Sequence, residues 1–562
     1  MITSKVAPWR WRRSAITPSL SISTICAMPY STFTSLKAST IDSNRRLFEY
    51  TSGRWIYNEN IRLTERYGEF NVDALKSAAA QSLRRRDTDV KSVSKLAEGG
   101  FNRVIQITMV DDTQILARLP YPSTEPRRLA VASEVATLAL LRAHGLPVPR
   151  VYAYSTDARN PVGSEYIIME KLSGRPLGAC WFDLSDQQRL KVLLQLVQLE
   201  TKIHTIELPA SGSIYYARDL PSDSPRIAIS DSDFCIGPSA ALKWWFAERS
   251  TLRIDRGPCV DAIDVLRNPA LKELAWLRAY GRPRFPFQRA YRESMEYQLS
   301  LPSDHIRSLE EYLKIAPGLL PPNELLRPLL RHPDLQTNNI FVSDDFDIVG
   351  LIDWQHASVL PLFLAAGIPK FFQNYDDPES LAFRPPPHPD LSGMDDDEKA
   401  DALDDFRRRH THFFYLAFTQ RFNEPHFCAM DQPTNMLTRR IFSHAGEPWE
   451  GNNVPLQADL VLLTKLWHEY SAGSCPISFP SAKEADSIMH LQNMQEEVDL
   501  NLKHIRNVIG IGMDGWTSSD GYEAACSRAR QMKVDGLGSL DTEYEREMTS
   551  LHWPFDDHNE DE

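Results

Sequence analysis

The sequence predicts a two-lobed α+β protein, with a small antiparallel-sheet lobe at the front and a larger, mainly helical lobe behind it. Three observations lead there. The chain has 562 residues, more than one simple hydrophobic core usually organises. Its first third reads strand, strand, helix, strand, strand. After Gly174 the apolar spacing changes from a two-residue to a helical period.

The first strands lie within VSKLAEGGFNRVIQITMVDDTQILARLPYP. Val104–Val110 and Gln114–Leu119 are rich in β-branched residues, and Asp111-Asp112-Thr113 between them suits a hairpin turn. In SEVATLALLRAHG, Val135, Leu138 and Leu141 make one helical stripe that Gly145 ends. VPRVYAYS and the apolar YIIMEKL (Tyr166–Leu172) follow as strands. Ser185 and Gln188 form a capping box ahead of LKVLLQLVQLETKIHTI, a helix of about five turns. Residues 210–330 read as mixed and largely helical. Arg384–Asp405, a proline run followed by acids, reads as an exposed loop leading into a helix. ADSIMHLQNMQEEVDLNLKHI carries Ile488, Leu491, Val498 and Leu502 at helical spacing, and FDDHNEDE reads as an acidic frayed end.

The first forty residues stand apart. They hold Lys5, Arg10, Arg12, Arg13 and Lys37, many Ser and Thr, and no acid. They also lack the continuous apolar core of a secretory signal, so the composition predicts a mitochondrial transit peptide. The expected organisation is a transit peptide over 1–40, an N-terminal extension over 41–90 and a first lobe over 91–172. A helical second lobe over 173–480 and a helical C-terminal extension with an acidic tail over 481–562 complete it.

Other classes recede. A net charge of −13 argues against a general nucleic-acid or anionic-membrane binder. The seven cysteines have no C-x-x-C spacing, which argues against a structural zinc or a disulfide framework. The best membrane-span candidate, Ala357–Ile368, is too short and contains Pro361.

The stretch that carries chemistry is RHPDLQTNNIFVSDDFDIVGLIDWQHAS, residues 331–358. His332-x-Asp334 is followed five positions later by Asn339, then a short strand, a turn around Phe346 and a second strand that ends at Asp353. Folding that hairpin brings Asn339 and Asp353 to one level at its open end, an amide oxygen and a carboxylate able to share a hard cation. Asp334 lies just before. One carboxylate facing an incoming hydroxyl and two oxygen ligands for Mg²⁺ is what phosphoryl transfer needs.

HPDLQTNNIFV followed by IVGLIDW resembles the catalytic and metal segments of the aminoglycoside phosphotransferase and choline-kinase-like family, over roughly residues 90–375. The resemblance implies a protein-kinase-like fold, ATP and Mg²⁺ as cofactors, and transfer to a small-molecule hydroxyl. It implies Asp334 as catalytic base, with His332 bracing the catalytic loop, and Asn339 and Asp353 as metal ligands. It places Gly99, Gly100 and Phe101 in a nucleotide-covering loop, Arg118 on the phosphates with Glu134 as its partner, and Met169, Glu170 and Leu172 along the adenine. Arg118 stands where protein kinases have lysine. LFEYTSGRW and LIDWQHASVLPLFLAAGIP further resemble the fungal altered inheritance of mitochondria proteins, which agrees with mitochondrial targeting. A non-catalytic nucleotide-binding or scaffold protein for mitochondrial maintenance is the alternative. The absence of D-F-G and A-P-E segments argues against a protein kinase. The acceptor and the oligomeric state stay open.

Overall fold

The computed structural model describes residues 45–479 and 481–562, so the expected transit peptide lies outside the described residues. The first lobe is built on a five-stranded antiparallel sheet. From edge to edge its strands are Val90–Glu98, Asn102–Met109, Gln114–Pro120, Tyr166–Glu170 and Val151–Ser155. The run before Gly99 is therefore a full strand, which adds one to the strands read from apolar runs; its exposed Lys and Ser residues hide it from a hydrophobicity reading.

Two-residue alternation sorts the sheet's side chains onto two faces. Ile105, Ile107, Met109, Ile115, Ala117 and Leu119 point one way, onto the helix Val72–Ser82, where Leu75 and Ala79 are fully buried. Leu116, Ile167 and Met169 point the other way, onto Val131 and Val135 of the helix Arg127–Ala143. The segment before residue 90 thus supplies one of the two layers that bury the sheet.

The second lobe is mainly helical. The helix Asp186–His204 begins at the Ser185/Gln188 capping box and packs against the long helix Asp396–Phe422, which has its own box, Asp395 with Glu398. Residues 210–330 are less helical than their sequence suggests: Ser213–Tyr216, Ile227–Ala228 and Phe234–Gly237 form a three-stranded antiparallel sheet beside the helices Ala262–Tyr280 and Pro302–Ile315. The hairpin Ile340–Val342/Ile348–Leu351 lies between the lobes, and Arg175–Pro176 adds a third strand to it. All six described cysteines are free. No helix among the described residues is long and apolar enough to cross a membrane.

The acidic C-terminus is fastened rather than frayed. Strand Gly53–Trp55 pairs with Trp516–Ser518, so the two ends of the described chain form one ribbon. Gly53 is required there, because a Cβ would meet the Trp516 ring at 2.3 Å. Asn58 donates through its side chain to Glu560 at 2.8 Å and accepts from the His558 N–H at 2.9 Å. Arg62 pairs with Glu560, and Arg292, 2 % exposed, meets Glu562 at 3.0 Å. The tail's charge, which suggests a solvated end when counted alone, is matched by arginines from distant segments.

Deleting residues 557–562 leaves Arg62 and Arg292 without these carboxylates. We expect a loss of about 2–3 kcal/mol in denaturant unfolding, with faster amide exchange at Gly53–Trp55. Unchanged stability would show that the tail does not fasten the ribbon.

Candidate active site

One cleft of about 1510 Å³ runs between the lobes, and all twelve residues singled out in the sequence line it. The hairpin sets its floor. Ile340 stands opposite Leu351, and one step further out the Ile352 N–H donates to the Asn339 carbonyl at 3.0 Å, so Asn339 and Asp353 emerge at adjacent levels. Asp353 has φ of 65°, a left-handed turn that ends the strand at this residue.

His332 accepts the Asp334 N–H at Nδ1, 3.1 Å away, so its proton sits on Nε2, which donates to the Ile352 carbonyl at 2.8 Å. The ring is buried and contacts the Trp354 ring at 4.5 Å between centroids. Burial lowers its pKa to about 4, although the Ile352 bond and Asp353 both act to raise it. His332 is thus a neutral brace that joins the Asp334 loop to the end of the hairpin.

Asp334 is exposed to the cleft and accepts from the Gln336 side chain at 2.6 Å. Asn339 donates its amide to the Asp334 carbonyl at 2.8 Å, which leaves the amide oxygen for another partner. Burial raises the Asp334 carboxyl above its usual range against the Gln336 bond, and Asp353's charge adds to the rise. Burial also acts to raise Asp353, but Arg118 overrides it and holds that carboxyl below the usual range.

Arg118 links the lobes. It pairs with Glu134 of the helix Arg127–Ala143 and with Asp353 at 2.6 Å, and it donates to Gln355 at 2.7 Å. The pair with Glu134 anticipated in the sequence is present; the bonds to Asp353 and Gln355 are additional. Burial raises the Glu134 carboxyl, opposed by Arg118. Gln355, absent from the sequence reading, also lies against the Asn102 side chain. Its position two residues past Asp353 is the only signal that could have pointed to it.

The turn Gly99–Phe101 closes over this floor. The Gly99 N–H donates to the Asn102 carbonyl at 2.8 Å, and the Phe101 ring meets His356 at 5.1 Å. Just before the turn, buried Glu98 accepts from the Thr51 N–H and the Ser52 hydroxyl, both at 2.8 Å, and from Lys95 at 2.7 Å. Ser52, Trp516 and Ser518 thereby reach the cleft wall. Along the lobe junction, Met169 is buried in the sheet, while the Glu170 carboxylate turns away to accept the Arg150 N–H at 3.0 Å. Leu172 lies on Gly350, where a Cβ would meet it at 2.2 Å. Of the two aromatic residues beyond Asp353, Trp354 is wholly buried and cannot reach an acceptor, whereas His356 lines the cleft and bonds the Ala240 carbonyl at 2.7 Å.

The donor set suits a hard divalent cation. Asp353 offers a carboxylate that is 45 % exposed, and Asn339 offers an amide oxygen. Among the described residues, no three His, Cys, Asp or Glu side chains cluster as a cage. Two oxygens in an open cleft fit an ion that takes its remaining ligands from water and a phosphate chain.

A two-lobed fold with these residues on one floor belongs to a kinase-like class. The model of the phosphotransferase enzyme family matches residues 92–363. A subtelomeric hrmA-associated cluster protein of Aspergillus fumigatus is 32% identical over 500 residues, covering 83% of this chain and 96% of that one. The chain belongs to the phosphotransferase enzyme family. The altered inheritance of mitochondria protein 9, mitochondrial, of Lachancea thermotolerans is 22% identical over 579 residues, covering 88% of this chain and 91% of its own. Among solved structures, a putative aminoglycoside phosphotransferase from Ralstonia eutropha is 16% identical, covering 82% of this chain and 99% of its own, with a TM-score of 0.26.

The brace makes a pH prediction. His332 is held neutral when folded and takes its proton near pH 6.5 when unfolded. Its contribution to stability is therefore complete above about pH 6.5 and fades between about 6.5 and 4, by up to about 3 kcal/mol. His204 and His412 act in the same direction, so the informative quantity is the difference between the native chain and His332→Gln. The variant should be less stable at neutral pH, and the gap should narrow on acidification. A gap independent of pH would contradict the assignment.

Proposed function

We propose that this chain is an ATP- and Mg²⁺-dependent phosphotransferase that acts on the hydroxyl of a small molecule in mitochondria. The observation that carries the reading is the gathering of Asp334, Asn339 and Asp353 about the two sides of the Ile352 peptide, on the floor of one cleft.

Asp334 accepts the acceptor's hydroxyl proton as the oxygen bonds to the γ-phosphorus and the bond to the bridging β,γ-oxygen breaks, with ADP leaving. Its raised pKa suits a group that must hold that proton during transfer. Asn339 and Asp353 would hold Mg²⁺, which when bound neutralises charge on the nucleotide phosphates. Arg118, held by Glu134, supplies a forked cation toward the same phosphates. The Gly99–Phe101 turn covers the nucleotide, and Met169 and Leu172 provide apolar contact for the base. The mitochondrial setting is supported by the basic, acid-free first forty residues and by the names of the altered inheritance of mitochondria relatives.

A non-catalytic nucleotide-binding or scaffold role is favoured by one observation, the Arg118–Asp353 contact, which engages a metal ligand with a protein cation. The test separates the two. Purified chain is incubated with γ-labelled ATP, Mg²⁺ and a mitochondrial metabolite extract, beside Asp334→Asn. Transfer of label to small molecules should fall about 10²- to 10⁴-fold in the variant, with Mg-ATP binding retained. Equal transfer by both proteins would remove Asp334 as the base. Binding without any transfer by the native chain would favour the scaffold.

A further inference from the structure

The acceptor side of the cleft holds a cation that the described protein does not match. Arg439, on the helix Asn435–Gly446, lines the same cleft as Asp334. Its guanidinium lies against Gly367, where a Cβ would meet one terminal nitrogen at 2.3 Å and the other at 2.7 Å. Among the described residues, Arg439 has no hydrogen-bond or ion-pair partner.

Its neighbours differ in this respect. Arg440 meets Asp459 at 2.5 Å, Lys243 meets Glu447 at 3.4 Å, and Arg331 meets Glu200 at 3.1 Å and the Tyr415 hydroxyl at 3.0 Å. Glu200 is thus already shared by Arg331 and Tyr415. The titratable groups that bear on Arg439 are Arg331, which repels it, and the neutral phenols of Tyr375 and Tyr415; no carboxylate is among them. Burial, with Arg331 adding, lowers its pKa to about 10. Of the carboxylates on this side of the cleft, Glu447 is taken by Lys243, Glu450 faces Arg284 and Arg249, and Lys503 bears on Asp376. Lys370 stands near enough to Asp334 to act on its charge, so a second cation lines this part of the cleft.

An arginine fork that lines a cleft without a protein partner is open to a ligand, and its geometry matches the two oxygens of a carboxylate or phosphate. We propose that Arg439 binds an anionic group, carboxylate or phosphate, on the acceptor whose hydroxyl faces Asp334. The hydroxyl end of this inference rests on the phosphotransferase reading; the anion site stands without it. The acceptor class is then a small hydroxylated acid or phosphate ester, not a neutral sugar or a cationic amine.

The test is thermal melting of the full chain saturated with Mg-AMP-PNP, which keeps the nucleotide's own phosphate positions filled. It is titrated with inorganic phosphate, acetate or choline at matched ionic strength. Phosphate or acetate should raise the melting temperature and choline should not; which anion acts tells phosphate from carboxylate. In Arg439→Gln the apparent anion affinity should fall about tenfold or more, while Arg439→Lys keeps part of it. Equal anion effects in the native chain and Arg439→Gln, or no anion effect in either, would overturn the proposal. If Mg-AMP-PNP itself fails to stabilise the native chain, the nucleotide reading fails instead, and the phosphate titration of nucleotide-free protein still decides the anion site.

Discussion

The site depends on one peptide unit. The N–H of Ile352 is held by the Asn339 carbonyl and its carbonyl by His332, so both ends of the constellation are tied to the same rigid plane. A slip of one residue in the hairpin would turn Asn339 or Asp353 to the opposite face of the strand pair. Several contacts guard against it: Gly350 receives Leu172, the third strand Arg175–Pro176 pairs with Phe341 and Val342, and the Leu351 N–H is held by the Pro147 carbonyl at 2.7 Å. Precision at Asp334 is thus inherited from backbone pairing, which is stiffer than any side-chain contact in the cleft.

Charge, in turn, depends on Arg118. It stands between Glu134 and Asp353, one carboxylate buried in the first lobe and the other open at the floor. One guanidinium cannot neutralise both, and the two acids respond in opposite directions: burial wins at Glu134 and Arg118 wins at Asp353. Asp353 is the carboxylate left open at the floor, which is where a divalent ion fits the donor set. A lysine would offer a single nitrogen; the arginine fork reaches both acids and Gln355, so its substitution for the usual kinase lysine adds a tie between the lobes.

Much of this was legible in the sequence, for physical reasons. The hairpin between Asn339 and Asp353 is local: its apolar strands and its turn are contiguous, so the pairing of the two strands is readable from that stretch alone. The Ser185/Gln188 box and the stripe of Val135, Leu138 and Leu141 follow helical spacing in the same way. What escaped was set by distant partners. The three-stranded sheet over 213–237 consists of strands of four residues or fewer, too short for alternation to register. The C-terminal acids looked solvated because their partners, Arg62 and Arg292, are hundreds of residues away. Arg439 gives no sequence signal at all, since its significance lies in partners that are missing.

The fastened termini bear on the cleft through Glu98. This residue ends the strand that leads into the Gly99–Phe101 turn, and its carboxylate is held by Thr51 and Ser52, which run directly into the ribbon strand Gly53–Trp55. That strand is held by Trp516–Ser518, and the following Asn58 by the acidic tail. Glu98 is 4 % exposed, so separating it from Thr51, Ser52 and Lys95 would strand a buried charge, which costs several kcal/mol. The Gly99–Phe101 turn therefore moves most easily together with the ribbon, and the ribbon together with both ends of the described chain. This coupling ties the long C-terminal extension to the cleft: through Trp516 and Ser518 it forms part of the cleft wall, and through Glu98 it holds the strand that leads into the turn.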